Sequence, residues 1–179
     1  MTVVTKAIGE IYAEGRISGS FEEVYRHGYN LVLFNKGEEL YSAVEATMTY
    51  EVQSLCRPLD AAPAADAAAF LQEVLNKWKQ HVRAVDMTRD MLMFMDRTFV
   101  LTNSKAPIKE LGLCLWRDNM ARSDKIRPRL IQAVRRQRGG EDELVAGVNE
   151  MLTELGAEVM EIPCLFFRDG AGKLHAAGP

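Results

Sequence analysis

The stretch from Ala67 to Leu101 constrains the fold more than any other part of the sequence. It reads AAAFLQEVLNKWKQHVRAVDMTRDMLMFMDRTFVL and contains neither Gly nor Pro. Apolar residues recur along it at the spacing of one helical face. These residues are Phe70, Val74, Trp78, Val82 and Val85. The stretch therefore predicts one long helix or two abutting helices at the centre of a helical body.

Shorter helices are predicted on both sides of this stretch. Ser20 followed by Glu23 matches a capping box, which predicts a helix from Phe21 to about Lys36 that ends at Gly37. Further helical patterns cover residues 5–14, 38–57, 108–120, 125–138 and 141–155, and breaks are expected at Gly15 and Pro58. Residues 157–179 change in character and predict a small hairpin or an irregular tail. The predicted fold class is all-α with a short C-terminal tail.

The charge and the cysteines limit the kinds of partner. A net charge of −3 argues against nucleic acid and membrane surfaces as general partners, which leaves a protein or a small molecule. No stretch approaches the length of about 18 apolar residues that a membrane span needs. Cys56, Cys114 and Cys164 lie far apart and include no C-x-x-C pair, which suits a reducing compartment. We expect a soluble protein of the cytoplasm, the nucleus or both.

No set of residues predicts catalysis, and no cofactor or metal is expected. His27, His81 and His175 share no metal-ligand spacing with one another or with the cysteines, so structural or surface roles are the preferred interpretation. The methionines of DMTRDMLMFMD lie at helical spacing, where flexible thioether side chains fill gaps in a core. Nucleophile, base and orienting group cannot be assembled from these residues.

The stretch SFEEVYRHGYNLVLFNKGEELY, residues 20–41, carries more apolar surface than one core contact uses. At about 100° per residue, its apolar arc is about 200° wide, whereas a surface helix needs little over about 100°. Val24, Gly28 and Leu31 suit the inner face. A line of aromatic residues, Phe21, Tyr25 and Tyr29, is left at the edge, with Leu33 beyond it. These aromatics either form a protein-binding surface or pack as ordinary core under the loop PLDAAPAAD.

Four segments of the sequence resemble the cullin family, most closely cullins of the cullin-3 type. They are the stretch of residues 20–41, DMLMFMDRTFV, LGLCLWRD and IRPRLIQAVRRQRGGE, and they occur in the family's order over about residues 7–156. The resemblance implies a cullin N-terminal repeat, a bundle of about five helices, over residues 1–156, with its first helix truncated and a divergent tail at 157–179. Cullins are scaffolds of RING-type ubiquitin ligases and act in ubiquitin-dependent protein catabolism without catalysing a step themselves.

The resemblance also implies a partner and a binding site. In cullins of the cullin-3 type, the second and fifth helices of the N-terminal repeat hold a BTB-domain substrate adaptor. The residues that match the second-helix contact are Phe21, Glu22, Tyr25 and Tyr29, and the fifth helix corresponds to about residues 108–120. A RING-box protein would bind only a longer form of the chain.

The sequence departs from the family pattern at two positions of this site. Lys109 stands where the family has a contacting tyrosine, and Gly19 stands where it has an apolar residue. Three alternatives stay open. The chain could bind a Skp-type adaptor, or it could be a truncated module that competes for adaptors without ligase function. The divergent tail could instead carry a reactive Cys164 or His175.

Overall fold

The structure, a computed structural model, describes residues 1–61, 66–137, 143–156, 167–168 and 174–175. The helices of these residues are α1 (Thr2–Glu14), α2 (Phe21–Leu33), α3 (Gly37–Ala61), α4 (Ala67–Met91), α5 (Met93–Met95), α6 (Ile108–Trp116), α7 (Ile126–Arg136) and α8 (Glu143–Glu154). Two five-residue π-helical turns, Asp96–Val100 and Arg117–Ala121, follow α5 and α6. The all-α prediction is confirmed.

Helix α4 lies at the centre of the bundle. It contacts α1, α2, α3, α6, α7 and α8. Its buried residues, Phe70, Leu71, Val74, Leu75 and Trp78 among them, occupy more than one face, as expected for a helix surrounded by others. The predicted fifth helix of the repeat is α6, which packs on α3 and α4. Helices α7 and α8 also pack on α4, so the core continues beyond the first five long helices.

The long stretch after Ala67 forms two abutting helices, the second of the two predicted alternatives. Its break lies at Leu92, which leaves helical geometry with φ −109° and ψ 18°. Leu92 is itself 1% exposed, because its side chain points into the core. The chain then continues through α5 and the first π-helical turn. The residues after this break pack against α2.

The prediction that Gly37 ends α2 is wrong. Helix α2 ends at Leu33, and Asn35 takes the left-handed conformation with φ 57°, a conformation that asparagine tolerates better than most residues. Gly37 is instead the first residue of α3. A Cβ atom at Gly37 would overlap the ring of Phe99, so glycine is needed there for close packing and not for a turn.

The prediction that Pro58 ends α3 is also wrong. The helix continues to Ala61 with Pro58 inside it. Leu59 is completely buried, which favours continuing the helix into the core. Arg129 Nη1 donates hydrogen bonds to the carbonyl oxygens of Leu59 and Asp60, both at 2.8 Å. These bonds satisfy carbonyls that a helix end leaves without partners.

The tail contains a minimal hairpin in the part that the structure describes. Residues Phe167–Arg168 pair antiparallel with Leu174–His175, with Phe167 opposite His175. The predicted turn at Asp169 and Gly170 lies outside the described residues. The boundary expected between residues 156 and 157 stays a prediction. Among the helices of the described ranges, none is both long enough and apolar enough to cross a membrane.

Candidate functional site

Helix α2 begins where the sequence predicts, although not through the predicted bond. Ser20 is the N-cap residue in an extended conformation, yet its side chain makes no capping hydrogen bond. Glu22 and Glu23 lie in the first turn, where negative charge complements the positive end of the helix dipole. The serine hydroxyl therefore does not define this start, and the two carboxylates favour it electrostatically.

The inner face of α2 is narrow and closely packed. Val24 and Gly28 are its buried residues, whereas Leu31, which the helical wheel also places on the inner face, is half-buried. A Cβ atom at Gly28 would lie 3.0 Å from Leu92 Cδ2, so the glycine allows this close contact with the break after α4. Only a small part of the helix circumference is needed to hold α2 in the bundle.

The aromatic row of α2, defined as Phe21, Tyr25 and Tyr29, lies beside this inner face. Phe21 is 44% exposed, while Tyr25 and Tyr29 are half-buried. The two tyrosine rings stack with centroids 6.4 Å apart and an interplanar angle of 23°. None of the three side chains is fully buried, so each of them keeps surface that a partner can contact. The neighbouring Glu22 is exposed.

One end of the row rests on a residue that sequence reasoning did not single out. Phe94, from α5, places its ring 4.4 Å from that of Tyr29. Residues 62–65, part of the loop considered as an alternative cover for the aromatics, lie outside the described residues. Because Phe94 supports Tyr29 and Tyr29 supports Tyr25, the two tyrosine rings are held in place before any partner binds.

The segment that carries Phe94 also holds the start of α6. The backbone N–H of Ile108 donates to both carboxylate oxygens of Asp96, at 3.2 and 3.3 Å. Burial raises the pKa of Asp96, although this hydrogen bond and Arg89 oppose the shift. Pro107, the N-cap residue of α6, has no side chain that could accept such a bond. The sequence signal for this contact is Pro107 itself. A proline at the N-cap cannot accept a hydrogen bond from the first N–H groups of α6, so an acceptor must come from elsewhere in the chain.

Comparison with known proteins assigns the chain to a family. The model of the cullin alpha solenoid domain matches residues 1–169. This chain belongs to the cullin family. The family resemblance inferred from the four sequence segments is therefore confirmed, and it agrees with the all-helical bundle.

Several of the cullins that this chain resembles are of the cullin-3 type. Cullin-3B of Arabidopsis thaliana is 40% identical over 166 residues, which cover 89% of this chain and 22% of that protein. Cullin-3A of Arabidopsis thaliana is 37% identical with the same coverage. Cullin-3 of Dictyostelium discoideum is 34% identical over 157 residues, covering 84% of this chain and 20% of that protein. The chain spans about a fifth of the length of these cullins.

The two positions that depart from the cullin-3 pattern are both accessible. Lys109 is exposed at the second residue of α6, where a positive charge meets the positive end of the helix dipole. Gly19 lies just before the N-cap of α2, and a Cβ atom there would meet no atom within 4 Å. Neither residue is required by the packing around it. Their replacement can therefore be used to test binding without disturbing the fold.

The histidines of the described residues show no catalytic arrangement: His81 is part of the core and His27 lies on the surface. His81 is 1% exposed, and burial lowers its pKa to about 4 even though its bond to the Gly112 carbonyl opposes this. Its Nε2 lies 3.0 Å from the Gly112 carbonyl oxygen, which can only accept, so Nε2 carries the proton. Its Nδ1 then accepts from the Tyr12 hydroxyl at 3.0 Å. His27 is exposed on α2.

The cysteines offer no clear reactive site among the described residues. Cys56 is buried, and burial raises the pKa of its thiol to about 12, far from the thiolate form that nucleophilic attack requires. Cys114 is half-buried on α6. Cys164 and the side chain of His175 lie outside the described residues. Within the described ranges, no cluster of three His, Cys, Asp or Glu residues could hold a metal ion.

Proposed function

We propose that this chain is the adaptor-binding end of a cullin scaffold and that it binds a BTB-domain substrate adaptor of a ubiquitin ligase. The contact residues are Phe21, Glu22, Tyr25 and Tyr29 of α2, with Lys109 of α6 alongside. In this role the chain positions other proteins in ubiquitin-dependent protein catabolism and performs no catalytic step. The proposed sites of action are the cytoplasm, the nucleus or both.

The aromatic row is the single observation that carries the proposal. Tyrosine and phenylalanine are enriched at protein interfaces because each offers a large rigid contact area with few rotatable bonds. The stacking of Tyr25 on Tyr29 and the tilted contact of Tyr29 with Phe94 reduce the conformational entropy that binding would remove. Glu22 adds an exposed charge beside Phe21 that can select among partners.

The cullin relatives support the class of partner. Several curated relatives of this chain bear the name cullin-3. Since the chain spans about a fifth of their length, recruitment of a RING-box protein belongs to the proposal only for a longer form. We expect the purified chain to transfer no ubiquitin in a reconstituted assay without another cullin. Transfer in that assay would contradict the scaffold role.

A titration of the purified chain against a panel of BTB-domain proteins tests the proposal. We expect a dissociation constant in the micromolar range or below for at least one of them. Phe21→Ala and Tyr25→Ala should each weaken binding by about ten- to hundredfold, as truncation of a central interface aromatic commonly does. Tyr50→Ala is the matched control, because Tyr50 is an exposed aromatic on a different helix, α3. Equal effects of all three substitutions would contradict the proposal.

Two further variants decide between kinds of adaptor. Lys109→Tyr and Gly19→Leu restore an aromatic and an apolar side chain at exposed positions where the fold leaves room. If the partner is a BTB-domain protein, each variant should tighten binding. If the chain instead binds a Skp-type adaptor included in the same panel, Lys109→Tyr should not improve that binding. Competition with a full-length cullin for the bound adaptor would then measure whether the chain acts as a competitor.

A further inference from the structure

The apolar surface of α2 does not end with the aromatic row. Leu33, four residues after Tyr29, is the last residue of α2 and is 54% exposed. Residues four apart share a face of an α-helix, so Leu33 continues the line that begins at Phe21. Phe34, immediately after the helix, is 74% exposed. The half-buried rings of Tyr25 and Tyr29 thus give way to more exposed apolar side chains at the C-terminal end of α2.

A third apolar side chain borders the same end of the helix. The ring of Phe99 packs against Gly37 at the start of α3. Lys105 Nζ lies 2.7 Å from Glu38 Oε1. These two contacts place the stretch after Phe99 beside the α2–α3 turn, and Leu101 within that stretch is 71% exposed. Leu33, Phe34 and Leu101 are together called the apolar corner.

The apolar corner concentrates most of the exposed large hydrophobic side chains of the described residues. Among the described residues, the two exposed large hydrophobic side chains outside the corner are Phe21 and Tyr50. Phe21 begins the aromatic row, and Tyr50 on α3 has the Arg57 guanidinium 5.8 Å from its ring centroid. Large apolar side chains that cluster on a surface mark interaction sites more often than isolated ones do.

The size of the corner decides which role it can have. Three side chains of this kind present roughly 300 to 400 Å². This area is about half of the roughly 800 Å² that each partner buries in a standard interface, so the corner alone is too small to hold two copies of the chain together. Together with the row, the corner forms an apolar strip whose helical part, from Phe21 to Leu33, is about 18 Å long. The combined area of row and corner approaches what one partner buries in a standard interface.

We propose that the apolar corner is a second subsite of the adaptor interface, which selects BTB-domain adaptors with an apolar surface opposite the C-terminal end of α2. The inference rests on the proposed function, since the same adaptor occupies both parts of the strip. The aromatic row holds the adaptor at the N-terminal end of α2. The corner then distinguishes adaptors that extend an apolar surface along the helix from those that present polar groups there.

The double variant Phe34→Gln/Leu101→Gln tests this subsite. Both side chains are exposed, so replacing them by glutamine should leave the thermal unfolding midpoint unchanged. We expect the affinity for the tightest-binding BTB-domain protein of the panel to fall about tenfold. Tyr50→Gln is the matched control, and it should leave the affinity unchanged. Loss of affinity should differ among the BTB-domain proteins, because the subsite is selective.

Three results would overturn the inference. Affinities within twofold of the unsubstituted chain for every adaptor, while Phe21→Ala still weakens binding, would remove the corner from the interface and leave the proposed function intact. Absence of binding by the unsubstituted chain to all adaptors would refute the proposed function and the subsite together. Sedimentation that shows a dimer of the unsubstituted chain, lost in the double variant, would identify the corner as a contact between copies.

Discussion

Two aromatic clusters of this cullin-family chain differ in how they are built. The row on α2 comes from one helix at intervals of four residues, with Phe94 as its support from another helix. The central cluster joins Tyr12, His81 and Trp116 from α1, α4 and α6, with the His81 and Trp116 rings 5.1 Å apart. Its members are almost fully buried, and the histidine is hydrogen-bonded at both ring nitrogens.

The difference shows that the burial and the hydrogen-bond partners of an aromatic cluster, and not its residue types, separate a core cluster from a binding surface. In the central cluster, polar atoms of Tyr12 and His81 pair with each other and with the backbone, so the cluster fixes how three helices pack. In the row, the tyrosines keep part of their surface in solvent. The central cluster should therefore control stability and the row should control binding, and each of the following predictions tests that separation.

The largest expected effect is on stability. Trp116 is fully buried, and Trp116→Ala should lower the free energy of unfolding by about 3 to 5 kcal/mol through lost contacts and a cavity. Urea denaturation followed by circular dichroism measures this. Phe21→Ala, at an exposed position, should change the same quantity by less than about 1 kcal/mol. A similar loss in both variants would remove the distinction between the two clusters.

The pH dependence of stability should originate in the central cluster. The folded-state pKa of His81 is lowered to about 4, below the unfolded value of about 6.5. The unfolded chain therefore binds this proton first as the pH falls, so the contribution is complete above pH 6.5 and is lost between about pH 6.5 and 4. From pH 7 to 4.5 this loss should be about 2 to 3 kcal/mol.

A comparison with variants isolates this contribution. Burial raises the pKa of Asp96 and of Glu51, and these groups act in the opposite direction as the pH falls. The measurement is therefore the difference in slope between the unsubstituted chain and His81→Gln. A slope unchanged in His81→Gln would contradict the assignment.

The smallest expected effect tests the support of the row. Phe94→Leu keeps an apolar side chain but removes the ring against Tyr29, and it should lower the free energy of unfolding by about 0.5 to 1 kcal/mol. Adaptor binding should weaken by about two- to fivefold, because Tyr29 and Tyr25 lose their fixed position. Isothermal titration should show this loss mainly as a less favourable entropy. An unchanged affinity would mean that the rings need no support from α5.

Local signals placed the start of α2 and the end of α1 at Gly15 correctly but misplaced the ends of α2 and α3. The start of α2 at Phe21 was placed correctly, although Ser20 makes no capping bond and the acidic first turn favours the start instead. Its end was placed at Gly37 because glycine commonly stops helices. That inference failed because Asn35 accepts the left-handed conformation and because the ring of Phe99, far along the chain, needs the space at Gly37. Pro58 was misjudged for a similar reason, since Arg129 supports the carbonyls that follow it.

The sequence by itself determined the helical class, the family and the row on α2, because all three depend on spacing within short segments. Tertiary structure alone decided that Phe94 supports Tyr29 and that Asp96 holds the start of α6 through Ile108. It also decided that Leu33, Phe34 and Leu101 stay exposed, although their residue types suit a core. These outcomes depend on contacts between residues distant in sequence. Periodicity describes which face of a helix is apolar, but not which neighbour covers it.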